Sequence, residues 1–244
     1  LSGANYNTAI GGISLDAITT GDENSALGYG TLSGLTTGSK NVAMGATAGA
    51  AITTGSYNIA LGADSLKATT TAANNVAVGQ AALNANTTGA ENVAIGWEAN
   101  KGSTTGYSNI AIGYAVMNTG VNTGQYNIGM GRYSMQNLTS GDHNIGIGAN
   151  TLDALTGADN NIAIGNSALG ANTGGHSNTC LGANAGLANI DGVQCTVVGM
   201  DAMKNATSDD GAAIFGYLAG RDMNGATHTT LIGAYAGLGL TTGD

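Results

Sequence analysis

Large apolar residues return at one fixed place along the chain: Ile10, Leu27, Met44, Leu61, Val78, Ile95, Ile112, Met130, Ile147, Ile164, Leu181, Val198, Phe215 and Ile232, each directly before a glycine. Two residues earlier a second column holds Val42, Ile59, Val76, Val93, Ile110, Ile128, Ile145 and Ile162, and the residue between the two columns is Ala or Gly. Alternation with period two marks a β-strand, whose successive side chains point to opposite faces. The pattern therefore predicts one short strand per repeat. Its large residues are expected to form a buried face that fills the core, and its small residues a nearly flat outer face.

The strand belongs to a motif, Asn-x-Ala-x-Gly, at residues 7–11, 24–28, 41–45, 58–62, 75–79, 92–96 and 109–113, each 17 residues after the last. The spacing slips once to 18, which places one inserted residue within the Val116–Gln125 stretch, and resumes at 127–131, 144–148, 161–165 and 178–182. It continues in degraded form to Gly199, Gly216 and Gly233. A Thr-Thr-Gly marker keeps the same period at Thr19-Thr20-Gly21, Thr36-Thr37-Gly38, Thr53-Thr54-Gly55, Thr87-Thr88-Gly89 and Thr104-Thr105-Gly106, and between the markers lies Gly-x-x-[Ala/Ser/Thr]-[Leu/Met/Gly].

Sustained self-similarity at this period predicts an all-β fold: a parallel β-solenoid of about fourteen 17-residue coils. Coils stacked at about 4.8 Å would make a rod of roughly 65–70 Å. Asn58, Asn75 and Asn92 fit an amide ladder between coils, and Gly62, Gly79 and Gly96 fit turns that need positive φ. The whole chain, 1–244, reads as one repeat domain, with regular coils over 5–177 and drifted ones over 178–244. In the drifted coils Thr179, Thr196, Ala213 and Thr230 take the first apolar position while Cys180, Val197, Ile214 and Leu231 take the small one, as if the faces exchange. Stacked Ala43, Ala60, Ala77, Ala94 and Ala111 would let a second backbone approach, so that face is the expected subunit interface.

Composition narrows the class further. There are 42 Gly and no Pro, and only 9% of residues are charged. The 42% apolar content excludes a disordered chain, and the lack of Pro excludes collagen and suits a chain of paired strands. A net charge of -9 with six basic residues argues against nucleic acid and anionic membranes as partners. No apolar run approaches the roughly 20 residues of a membrane span, so no membrane insertion is expected. The chain starts at Leu1 without Met and reads as processed or as a fragment. Stacking places Cys180 and Cys195 roughly 8 Å apart, beyond disulfide reach, and leaves the redox compartment open.

Asn58-Ile-Ala-Leu-Gly62, Asn92-Val-Ala-Ile-Gly96 and Asn161-Ile-Ala-Ile-Gly165 resemble the head repeats of YadA-like trimeric autotransporter adhesins. Asn84-Ala-Asn-Thr-Thr-Gly89, with its Thr-Thr-Gly marker, resembles repeats of bacteriophage tail fibres. The resemblance covers about residues 5–243. It implies a homotrimeric, fibrous, virion-surface or extracellular protein built of left-handed parallel β-rolls, with a host-surface glycan or protein receptor as partner. The 17-residue period is longer than that of the adhesin heads, and neither a heptad stalk nor a membrane anchor is present, so the tail-fibre likeness is the stronger one.

Candidate chemistry has to be sought down columns, because a separation of 17 residues becomes a neighbouring position. Asp142, Asp159 and His176 share one column, with carboxylates about 5 Å apart, a separation that suits a retaining glycosidase or else a solvated surface. Trp97 and Tyr114, followed by Arg132 in the same column, suit either a sugar ring or lateral packing between subunits. The Thr pairs bring ice binding to mind, but consecutive residues point to opposite sides, and turn stabilisation explains them equally. His143, His176 and His228 lie too many coils apart to share a metal ion. The expectation is a structural or adhesive rod, not an enzyme, with no cofactor and no metal, forming part of a phage tail fibre or cell-surface adhesin. The alternative is a self-assembling extracellular filament; an ice-binding protein and a glycan-cleaving tailspike stand behind both.

Overall fold

The computed structural model describes residues 3–223 and 225–240, so the expectations attached to Leu1 and to the last four residues, 241–244, lie outside the described residues. The chain forms two compact units, Leu1–Gln125 and Tyr126–Asp244. The first holds β1 (Thr8–Ile10), β2 (Ser25–Leu27), β3 (Val42–Met44), β4 (Ile59–Leu61), β5 (Val76–Val78), β6 (Val93–Ile95) and β7 (Ile110–Ile112). The second holds β8 (Ile128–Met130), β9 (Ile145–Ile147), β10 (Ile162–Ile164), β11 (Thr179–Leu181), β12 (Thr196–Val198), β13 (Ala213–Phe215) and β14 (Thr230–Ile232).

Within each unit consecutive strands pair in parallel with no slip: Val42 faces Ile59 and Ala43 faces Ala60 in the first, Ile145 faces Ile162 and Gly146 faces Ala163 in the second. Each unit is a parallel β-solenoid, and no helix occurs among the described residues. One three-residue strand per coil leaves the remaining residues to turn the chain through a full circuit. In the fourth coil Asp64, Leu66 and Asn74 all hold left-handed backbone, at φ 59°, 49° and 61°. Left-handed backbone is disfavoured for residues with a Cβ, and here neighbouring coils hold it in place. Asp64 N–H donates to Ala46 O in the coil before, at 3.0 Å, and Leu66 N–H to Ala82 O in the coil after, at 3.0 Å.

The strands face the opposite way from the sequence expectation. Ala43, Ala60, Ala77, Ala94 and Ala111 are the buried residues, whereas Met44 is 51% exposed, Leu27 41% and Ile95 38%. The reason lies on the opposite wall of the coil. Leu32, Leu66 and Leu83, eight residues after the ladder Asn, and Leu35 and Ile52, eleven residues after it, are fully buried. These long side chains cross a narrow interior and leave room beside the strand only for a methyl group, and interiors are packed too densely to hold a second large layer. The Ala column is thus core, not a subunit interface, and the large strand residues turn outward.

The same rule governs the drifted coils. Cys180, Val197 and Ile214 are buried at the inward strand position, while Leu181, Val198 and Phe215 remain in the outward column. The faces do not exchange; the strand wall takes a larger share of the core volume. Where the inward residue is larger than Ala, the facing position can shrink to Gly: a Cβ on Gly186 would sit 3.0 Å from Cys180 Sγ, and one on Gly237 only 2.6 Å from Leu231 Cδ1. The single inserted residue is absorbed where the spacing placed it. Thr87 N–H donates to Thr104 O, 17 residues on, but Thr104 N–H donates to Asn122 O, one residue further.

This volume exchange is testable inside a regular coil. Ala60→Leu should lower unfolding stability by about 1–3 kcal/mol through overpacking against Leu66. Adding Leu66→Gly, which copies the Leu231 and Gly237 pairing at a backbone already left-handed, should restore more than half of the loss in a denaturant titration.

Candidate functional site: the outward apolar face and its flanking columns

The site is assembled by the ladder that sets the register. Each ladder Asn accepts from the next coil and donates within its own circuit. Asn58 Oδ1 takes both Asn75 N–H, at 3.1 Å, and Asn75 Nδ2–H, at 3.2 Å, while Asn75 Nδ2 donates to Gly89 O at 3.0 Å. Asn92 repeats this on Asn75, at 3.0 and 3.2 Å, and bonds Gly106 O at 2.8 Å. All three side chains are buried, where an unmade hydrogen bond is costly, so the network fixes each strand against its neighbours. Gly62, Gly79 and Gly96 follow at φ 132°, 130° and 132°. A Cβ on Gly62 would lie 2.5 Å from Gly79 O, which no side chain tolerates.

With register fixed, every strand presents two side chains outward. In the first unit Val42, Ile59, Val76, Val93 and Ile110 line one column and Met44, Leu61, Val78, Ile95 and Ile112 the other. In the second, Ile128, Ile145 and Ile162 stand beside Met130, Ile147 and Ile164. None of the fourteen strands carries a charged residue. An uncharged, largely apolar strip of this kind within a unit is what a soluble surface avoids unless something covers it. Periodicity revealed these columns but not their direction. The signal that could have decided it was the Leu and Ile column on the far wall, which competes for the same interior.

Aromatic side chains border the strip. Trp97 and Tyr114 stack in parallel, with ring centroids 4.7 Å apart and planes 16° from each other, so each commits one ring face to the other. Arg132 lies in the second unit, where its guanidinium sits 4.5 Å above the Tyr133 ring and donates to Tyr133 Oη at 3.3 Å. The structure thus stacks Trp97 on Tyr114 within the first unit and sets Arg132 over Tyr133 within the second. A further stack, Tyr126 on His143 at 5.0 Å, follows the same period and went unnoticed in the sequence because it sits on the position before the Asn.

The carboxylate column is a second ladder. Asp142 N–H donates to Asp159 Oδ1 at 2.8 Å, and the same bond recurs from Asn5 to Asp22 at 2.6 Å, from Asp22 to Ser39 Oγ at 2.9 Å and from Val193 to Asp210 at 2.9 Å. Asp159 therefore satisfies backbone, and His176 stands exposed beside Ser177. No cleft or cavity opens among the described residues, and no group of three or more His, Cys, Asp or Glu is gathered there for a metal ion. Thr19, Thr36, Thr53 and Thr87 spend their hydroxyls on the next coil, as in Thr36 Oγ1 to Thr53 O at 3.1 Å, while Thr37 and Thr54 are exposed.

Charges sit on the turns as ion pairs at one repeated offset: Lys67 with Asp64 at 2.9 Å, Lys101 with Glu98 at 2.7 Å and Lys204 with Asp201 at 3.1 Å. The Thr47 hydroxyl and then Lys67 hold the Asp64 carboxyl below its ordinary range, and Asn184 and then Lys204 do the same for Asp201. Both cysteines are unpaired and buried, and burial pushes their thiols up, which leaves them protonated and poor nucleophiles. Comparison with known protein families, with curated proteins and with solved structures finds no match to the chain.

Cutting the ladder should be severe because it strands buried groups on both sides. Asn75→Ala leaves Asn92 N–H and Gly89 O without their partner, and the expected loss in chemical denaturation is about 2–5 kcal/mol. A change below about 0.5 kcal/mol would show that backbone pairing alone holds the register.

Proposed function

We propose that this chain is a structural segment of a fibre on a virion or cell surface, a non-catalytic rod whose copies associate along the outward apolar face. The observation that carries the reading is the uncharged strip of paired Val, Ile, Leu and Met on strand after strand, repeated where a lone soluble chain would place polar residues. A β-solenoid suits this task physically, since each added coil extends the molecule by one identical step and adds one identical contact. The likeness of its repeats to tail-fibre and adhesin-head repeats supports three copies, and supports a host-surface glycan or protein as what the exposed turn columns meet. Within this reading Trp97 and Tyr114 brace the edge of the association face as a stacked pair.

The association is tested by sedimentation of the purified chain. The expected result is a trimer at micromolar concentration, converted to monomer by the pair Ile59→Lys and Ile95→Lys while the β-rich circular dichroism spectrum is retained. A wild-type chain that stays monomeric at tens of micromolar would contradict the proposal, and mass growing without limit as concentration rises would replace the trimer by an open filament.

A further inference from the structure

Fourteen residues after the ladder position, the regular coils carry Gly or Ala: Gly38, Gly55, Ala72, Gly89, Ala158 and Gly192 stand there. The ladder amide of the same coil donates to the carbonyl at this point, as Asn58 Nδ2 does to Ala72 O at 2.9 Å. Asp209 is the exception. It is fully buried in this small-residue column, and its own coil has lost the ladder amide, since Cys195 stands in the Asn position and donates its thiol to Asp209 O at 2.9 Å. One carboxylate oxygen, Oδ1, accepts from Ala226 N–H in the following coil at 2.5 Å; the other, Oδ2, is buried without a hydrogen-bond partner among the described residues.

Ionised, that carboxylate has no compensating charge. Its own coil offers Cys195, a thiol kept neutral by burial, and the preceding coil the exposed Asp191. Its own coil adds a second negative group, Asp210, whose Oδ1 is taken by Val193 N–H. In the following coil His228 N–H donates to Asp210 O rather than to Asp209, and Arg221 is paired with Asp222 at 2.7 Å. Among the described residues no cationic side chain forms an ion pair with Asp209. A buried carboxylate left half-satisfied is expensive, whereas its protonated form is a neutral group of the same shape that keeps the Ala226 bond.

We propose that Asp209 is a proton-operated latch of the C-terminal coils: protonated, it locks the step between the coil that contains β12 and the coil that contains β13; ionised, it loosens that step. The sign follows from linkage. Burial, reinforced by Asp210, raises the Asp209 carboxyl above its ordinary value of 3.8 in spite of the Ala226 bond. Stability from this group is therefore fully present below 3.8 and is lost as pH rises through the higher folded value. The latch makes these coils firmest in acid, opposite to the surface carboxylates Asp64 and Asp201, whose lowered values favour the folded state as pH rises.

Hydrogen exchange of the full chain between pH 4 and pH 8, corrected for intrinsic exchange rates, tests the latch. Protection of the Ala226, Ala213 and Thr196 amides should fall severalfold as pH rises. Asp209→Asn and, as a second variant, Asp209→Gly, which restores the residue usual in this column, should each flatten the profile. Asp210→Asn should leave the fall largely in place. A flat wild-type profile, or an unchanged fall in both Asp209 variants, would overturn the proposal.

Discussion

Neighbouring coils lie so close that their backbones touch, and this contact governs the protein. At Gly62 there is no room for a Cβ above Gly79 O, and at Gly45 a Cβ would sit 2.7 Å from Gly62 C. Strand pairing at a 17-residue step forces the approach, because successive strands must lie within hydrogen-bonding distance of each other. The Asn ladder holds that step from inside by tying each backbone N–H to the amide below it. Everything else is fitted around a circuit whose height is one strand spacing and whose interior is correspondingly thin.

A thin interior limits how much the two walls can fill together. In most coils the far wall supplies the large side chains, Leu32 and Leu35 or Leu152 and Leu155, and the strand contributes Ala or Gly. Toward the C-terminal end the strand supplies Val197 or Ile214 while Met203 and Met223 stay buried across from it, and Gly186 and Gly237 on the far wall make way for Cys180 and Leu231. In either arrangement the flanking strand residues cannot also enter, so an apolar strip is left on the outside. The outward apolar strip is in this sense a by-product of how little the interior can hold.

Much of this was legible in the residues. The motif spacing located the strands, the ladder and the inserted residue, because parallel stacking turns a sequence period directly into contact. What the period could not supply was direction. Alternation in Asn58-Ile-Ala-Leu-Gly62 says that Ile59 and Leu61 share a face and Ala60 takes the other, but inside and outside are decided by Leu66 and its counterparts across the coil. The chemistry of single columns was equally ambiguous. Asp142 and Asp159 look like paired carboxylates in a list of positions, and only the backbone N–H aimed at Asp159 reveals a structural ladder. Asp209 was hidden for the opposite reason: beside Asp210 in the chain it resembles a solvated acidic pair, and its burial depends on which position of the circuit it occupies.

The claim on which the account rests is the direction of the strand side chains, and a crystal structure of the assembled chain measures it most directly. The account predicts that the methyl groups of Ala43, Ala60, Ala77 and Ala94 point into the coil against Leu32, Leu66 and Leu83, with Val42, Ile59, Leu61 and Ile95 in contact with a neighbouring chain. Electron density placing Ile59 and Leu61 inside the coil, with Ala60 at the surface, would contradict it.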